Sequence, residues 1–328
     1  MKTFAELCAA SAALPYAFPT EANRIEHLAE RASEVEQHAA GVAPLLHARS
    51  AALIEEVLEL KRETGTPVER GVYAELDLRG WITRALRQRP LVFVGPGDGY
   101  TLRSGERSSG GFERIGQPEE REPLTLARLM SYDEVALSAL LGVAVPTHFV
   151  NAGERHNVAR RGPAGSCEPR GVYVGLVGAR YERPEQMEWR TTIVTAQQNT
   201  AARGYGSEAD PALPATRLTR AWARALGLPH LPSHAEAVAG EGGRFVRISR
   251  GRDASYLDAA AYKARMRLSV EPFLLDAEAR AAEAGQPAYL HLVGLGLGVW
   301  ATPVKAEQTA LLVEAYADVL AERALPHL

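Results

Sequence analysis

Cysteine is nearly absent: Cys8 and Cys167 are the only two, so no disulfide framework is available and a reducing compartment is expected. No apolar run reaches the roughly 18 residues of a membrane span. The first 20 residues carry Glu6 and a single early lysine, without the architecture of a signal peptide. A cytoplasmic protein is therefore expected, although delivery by a specialised secretion system would leave no mark in the sequence. Net charge of one sign is also lacking: at −3, with a pI of about 6.3, no basic field draws nucleic acid. Lysine is scarce beside arginine, which with the high alanine content reads as compositional bias rather than function. No G-K-[ST] follows a glycine loop, which excludes a P-loop. No G-x-S-x-G occurs, and Cys167 lacks a recognisable base, so no nucleophilic serine or cysteine stands out.

What is present is an ordinary globular composition, 46% hydrophobic and 23% charged over 328 residues. The chain is organised around Tyr289–Trp300. Tyr289 to Val293 read as a buried strand, Gly294, Gly296 and Gly298 alternate after it, and a helical pattern follows. Glycines between a strand and a helix N-terminus can cradle a phosphate. They can equally serve only to let a helix pack closely on a sheet. Gly296-Leu297-Gly298-Val299-Trp300-Ala301 fits G-x-G-x-x-A, but a Rossmann fingerprint opens its fold and needs a later acidic strand, and only one helix remains here.

Before residue 90 the pattern is helical. Gly41 and Pro44 interrupt it, and Thr66-Pro67-Val68-Glu69 has the form of a capping box. His27, His38 and His47 read as surface residues, and no metal site is expected. From Pro90 onward strands alternate with helices. Leu91–Val94 runs into Gly95, Gly97 and Asp98. A polar stretch, Arg103–Arg121, follows as a lid or binding loop. Asp98 either meets a ligand or closes an Asx-turn. Ser131–Glu134 is a second capping box. Thr147–Val150 delivers Asn151 to Asn157, where Asn151 suits ribose hydroxyls or simply serves a turn. Gly171–Gly178 is a strand leading to Arg180, Glu182, Arg183 and Glu188. Thr191–Thr195 could be strand or helix. Arg244–Ser249 alternates as a half-exposed strand, Asp253–Gly285 is helical, and Asp276 sits among apolar neighbours. Lys305–Ala324 is an amphipathic helix. Ligands gather where such polar loops converge. These elements together predict an α/β/α layered domain over residues 90–328, with a helical N-terminal region over 1–89.

Phe93–Tyr100, taken with Tyr262–Arg267, Phe273–Ala277 and Val293–Trp300, resembles the MavL-like family of atypical macrodomain-type ADP-ribosylhydrolases, once labelled a domain of unknown function. The resemblance covers roughly residues 90–325. Phe149-Val150-Asn151-Ala152-Gly153 also echoes the Val-Asn-Ala-Ala-Asn loop of ordinary macrodomains, without its second Asn. The resemblance implies a three-layer α/β/α macrodomain-like mixed sheet that removes ADP-ribose from a modified protein side chain, arginine first. No cofactor, metal, nucleic-acid or membrane partner is expected. Gly294, Gly296 and Gly298 would hold the diphosphate, with Gly95, Gly97 and Asn151 nearby. Phe93 or Trp300 would face the adenine or distal ribose, and Asp98 would bind the adenosine end. Asp258 and Asp276 are the first candidates for catalysis, with Asp253 and Glu188 behind them. Cleavage of an N-glycosidic bond passes through an oxocarbenium-like state, which a carboxylate can stabilise while activating water. Two further readings stay open: a non-catalytic reader of ADP-ribose or a nucleotide, and an interaction module whose N-terminal helices bind a partner.

Overall fold

The computed structural model describes residues 2–14, 24–153, 160–251 and 253–328. The N-terminal helices are α1 (Phe4–Ala12), α2 (Ala32–Ala40), α3 (Ala48–Thr64), α4 (Pro67–Tyr73) and α5 (Leu78–Gln88), with a short strand, β1 (Ala43–Leu45), where Gly41 and Pro44 break the helical pattern. Local signals set their ends. Thr66 accepts from the Glu69 amide while Glu69 reaches back to the Thr66 amide, with Pro67 at the first helical position. Asp77 caps α5 through the Gly80 amide.

A hairpin and its third strand follow: β2 (Val92–Val94), β3 (Gly99–Thr101) and β4 (Arg107–Ser109). The last two lie within or just before the stretch expected to be irregular. Next come α6 (Tyr132–Ser138), β5 (Gly142–His148) and β6 (Arg170–Gly175). The ambiguous stretch near residue 191 divides into α7 (Trp189–Thr192) and β7 (Ile193–Val194). Then α8 (Pro214–Leu226), α9 (His234–Ala239), β8 (Phe245–Arg247) and β9 (Tyr256–Asp258) lead into α10 (Ala259–Ala284), and α11 (Lys305–Glu322) closes the chain.

The strands form three small sheets, in the orders β1-β5-β6, β2-β3-β4 and β7-β9-β8, and every pairing is antiparallel. The protein is thus a mixed α/β structure, with three small antiparallel sheets among the described residues. One correction concerns Tyr289–Val293, which forms no strand. Tyr289 is 91% exposed and Val293 62%, so these apolar side chains face water. A strand needs a neighbour for its amides, and the bond given for this end of the segment runs from the Ala288 amide to the His327 carbonyl.

One large hydrophobic cluster runs from Leu53 and Trp81 through Phe93, Phe112 and Leu140 to Trp222 and Leu268. Residue 90 therefore does not divide the core, because α3 and α5 share it with the sheet and helices that follow. A second cluster joins Ala179, Tyr181, Met266 and Leu274 to Leu295, Leu312 and Tyr316. It seats α11 on α10 and anchors Leu295, the buried member of the glycine segment. No helix among the described residues is long and apolar enough to cross a membrane.

Candidate active site

The β2–β3 turn supplies the first part of the site. Gly95 and Asp98 both adopt positive φ, +84° and +50°, and the Asp98 amide bonds the Gly95 carbonyl at 3.0 Å. Positive φ is unusual for a residue other than glycine, although aspartate tolerates it better than most. The turn aims the Asp98 side chain inward, where it is 1% exposed. The Tyr132 hydroxyl donates to Oδ2, and Arg183 Nη1 lies 2.7 Å from the same oxygen. Burial raises the Asp98 pKa against the opposing pull of Tyr132 and Arg183. The Gly95 amide donates to Glu182 Oε1 at 2.8 Å, tying the turn to the segment after β6.

Phe93 lies on the same hairpin. It packs on Phe112 at 4.7 Å between ring centroids, and Phe112 in turn meets Tyr100 and Tyr132. The Arg180 guanidinium sits 5.7 Å from the Phe93 ring and 4.5 Å from the Trp300 ring, so residues more than two hundred positions apart meet at one cation.

This cation is short of partners. Arg180 is 6% exposed, and neither its Nε, nor Arg89 Nη2, nor Trp300 Nε1 has a hydrogen-bond partner. Burial lowers the Arg180 pKa. Burial and the nearby Arg180 charge push Arg89 down to about 10, partly offset by Glu188. Glu188 is itself committed: its Oε1 takes Arg265 Nη2 at 2.9 Å, and its Oε2 accepts the Arg180 amide at 3.3 Å. Arg265 is 1% exposed and also bonds the Ala139 and Val177 carbonyls and Ser269. Three guanidiniums thus gather around one carboxylate, with donors left over. The chemistry this arrangement favours is that of an anion with several acceptor oxygens.

The glycine segment divides by role. A Cβ on Gly178 would stand 2.1 Å from the Gly296 nitrogen, and a Cβ on Gly296 (φ +70°) would stand 2.7 Å from the Ala179 carbonyl oxygen. These two glycines exist for backbone-on-backbone packing, the plainer of the two sequence readings. A Cβ on Gly294 would touch Leu297, whereas one on Gly298 would meet nothing within 4 Å. Nor do the glycines open directly into a helix. α11 begins at Lys305, and Gln308 Oε1 accepts from both the amide and the hydroxyl of Thr302 just before it, each at 2.6 Å.

The remaining candidates lie elsewhere or are already engaged. Asp258, fully buried, caps α10 through the Ala261 amide and takes a two-pronged bond from Arg244. Asp276 pairs with Arg280 at 2.8 Å, one turn along α10. Asp253 is exposed. Asn151 spends both ends of its amide on its own loop, accepting from Gly153 at 2.9 Å and donating to the Arg160 carbonyl at 2.8 Å. Arg155, His156 and Asn157 lie outside the described residues, and a Cβ on Gly97 would meet nothing within 4 Å. Sequence reasoning missed Arg89 and did not single out Arg180 or Arg183. The latter two follow strand β6 as Asp98 follows β2, which was a usable signal; Arg89 carried none. Asp258→Ala is expected to destabilise the fold by about 2–4 kcal/mol, from a lost cap and an orphaned Arg244. Denaturant unfolding checks this; an unchanged midpoint with lost turnover would instead mark Asp258 as catalytic.

A family model described as "ADP-ribosylhydrolase MavL-like" matches residues 5–326. A Drosophila melanogaster protein named as an ADP-ribosylarginine hydrolase is 35% identical over 288 residues, 86% of this chain and 56% of its own length. A second from the same organism, with the same activity in its name, is 38% identical over 283 residues, 85% of this chain and 55% of its own. The chain spans little more than half the length of these curated relatives.

Proposed function

This chain belongs to the MavL-like ADP-ribosylhydrolase family, and from that premise we propose that it removes ADP-ribose from modified arginine side chains of proteins. The two Drosophila relatives named for that activity support the reading. The observation that carries it is the buried, under-partnered Arg180 beside Phe93 and Trp300. A diphosphate supplies the missing negative charge, and the two rings supply faces for adenine or ribose. Gly298, with open space at its α-carbon, lets a phosphate oxygen approach, while Gly294 and Gly296 hold the loop.

In the reaction, water forms a bond to the anomeric carbon as the bond to the guanidine nitrogen breaks. The leaving nitrogen takes up a proton, and a carboxylate receives the proton that water gives up. Asp258, Asp276, Asp253 and Glu188 remain candidates for that carboxylate. Asp98 joins them, since it lies on the hairpin of Phe93 and its pKa is raised by burial, which suits a group that exchanges protons. Glu182, bonded to the Gly95 amide, shapes the turn that presents it. The family premise also carries a macrodomain-type layering with residues 90–328 as the catalytic part, which a crystal structure of the ADP-ribose complex would test. A cytoplasmic place of action accords with the two free thiols.

Calorimetric titration with ADP-ribose, followed by an assay on ADP-ribosyl-arginine protein, tests the reading. Arg180→Ala is expected to weaken ADP-ribose binding by about 2–3 kcal/mol, roughly thirty- to hundred-fold, as a charged hydrogen-bonding group is lost. No heat at millimolar ligand would remove the proposal. Binding without turnover would favour the reader, a reading that gains from the occupation of Asp258 by Arg244.

A further inference from the structure

We propose that Glu34, His38 and His148 form a binding site for a divalent transition-metal ion, zinc foremost. Glu34 and His38 stand one turn apart on α2, and His148 ends β5, against which α2 packs. One ligand atom from each lies within 4.8 Å of the other two. Glu34 Oε2 is 3.4 Å from His148 Nε2, and Glu34 Oε1 is 3.9 Å from His38 Nε2. Zinc bonds imidazole nitrogen and carboxylate oxygen at about 2.0–2.2 Å, which sets tetrahedral ligands about 3.3–3.6 Å apart. A small closing movement of the side chains brings all three onto one ion.

The second observation is His148 itself. Its side chain is 9% exposed, and its Nε2 is buried without a hydrogen-bond partner while facing the Glu34 carboxylate. Arg31 donates to Nδ1, so Nε2 carries the ring proton and faces the carboxylate without forming a hydrogen bond, and a metal ion that displaces this proton would satisfy both groups. A metal binds neutral imidazole and ionised carboxylate, the donor types gathered here. Two nitrogens and one oxygen favour zinc or its neighbours over calcium or magnesium. A water completes the fourth position.

Two cations border the site. Arg170 Nε lies 2.5 Å from Glu34 Oε1 and its Nη2 3.4 Å from Oε2, so the guanidinium orients the carboxylate, whose Oε2 also faces His148. Arg31 Nη1 lies 3.3 Å from His148 Nδ1. Arg31 is exposed and turns to solvent when Nδ1 takes the ring proton on metallation. His38 is thereby moved from the surface residues of the sequence reading into a ligand set. Because His148 hands the chain to Phe149 and Asn151, the ion would clamp α2 to the base of that loop. This inference is independent of the hydrolase reading.

The test uses the 328-residue chain, tag-free and stripped with chelator. Zinc is titrated calorimetrically, Co²⁺ is followed by its visible d–d absorption, and melting is recorded with and without zinc. One ion per chain at micromolar affinity or tighter is expected, with a raised melting temperature. His148→Gln and His38→Gln should each weaken binding at least tenfold. His38→Gln, on a surface helix, keeps the test available if His148→Gln does not fold. Absence of binding, or equal affinity in wild type and the folded variants, overturns the proposal.

Discussion

Gly178→Val is expected to lower ADP-ribose affinity by more than about a hundred-fold, some 3 kcal/mol, with the larger hydrophobic cluster still folded. The atoms a side chain would strike at this position are backbone: the Gly296 nitrogen at 2.1 Å and the Leu295 carbonyl carbon at 2.4 Å. No rotamer change relieves such a contact, so the glycine segment must move away. Trp300 lies four residues beyond Gly296 and travels with it, leaving its place beside Arg180. The Arg180–Trp300 contact and the open approach at Gly298 would be lost together. Calorimetry measures the affinity, and tryptophan emission reports whether Trp300 has changed surroundings. Gly71→Ala, on α4, is the control, because its added carbon meets nothing within 4 Å and it has no part in the proposed site. Wild-type affinity in Gly178→Val would show that the segment does not hold the ligand.

Glu188→Ala is expected to destabilise the protein by about 3–5 kcal/mol, the usual result of removing one partner from a buried ion pair. Arg265, 1% exposed, would keep its charge without its carboxylate. The Arg180 amide would lose its acceptor, and Arg89 and Arg180 would lose the nearest negative charge that steadies them. Denaturant unfolding decides the matter, and a loss below 1 kcal/mol would show that water or another group replaces the carboxylate. Glu188→Gln separates structure from chemistry. It keeps the shape and some of the bonds, so a folded Glu188→Gln protein without turnover would place this carboxylate in the reaction itself.

Features set by neighbours along the chain were legible in advance. Both anticipated capping boxes, at Thr66–Glu69 and Ser131–Glu134, formed, since each is closed within four residues. Helix α11 over 305–322 followed its apolar periodicity. Features that depend on distant partners were not legible. β1 hides in a Gly-Pro interruption because it pairs with β5, about a hundred residues later. Leu290–Val293 has a strand's composition and no strand to pair with. The expected helix from Asp253 starts instead at Ala259, because Tyr256–Asp258 is claimed by the sheet with β7 and β8. The site divides in the same way. Phe93, Asp98 and Trp300 stood out beside glycines, whereas the significance of Arg89 and Arg180 lies in the partners they lack, which no local pattern reveals. Asp258 and Asp276 illustrate the converse, since a carboxylate's residue type does not disclose that an arginine already holds it.

The meeting of Phe93 and Trp300 at Arg180 has a temporal side. A chain leaving the ribosome presents Phe93 early and Trp300 only when most of these residues have been made. Leu295, which seats the glycine segment, packs in a cluster completed by Leu312 and Tyr316 of α11. Domains fold as their parts emerge, so the core around Trp81 and Phe112 can settle while the ligand site is still in two pieces. A nascent chain can therefore be folded in part while Phe93, Arg180 and Trp300 are still apart, and the three meet only once α11 has docked.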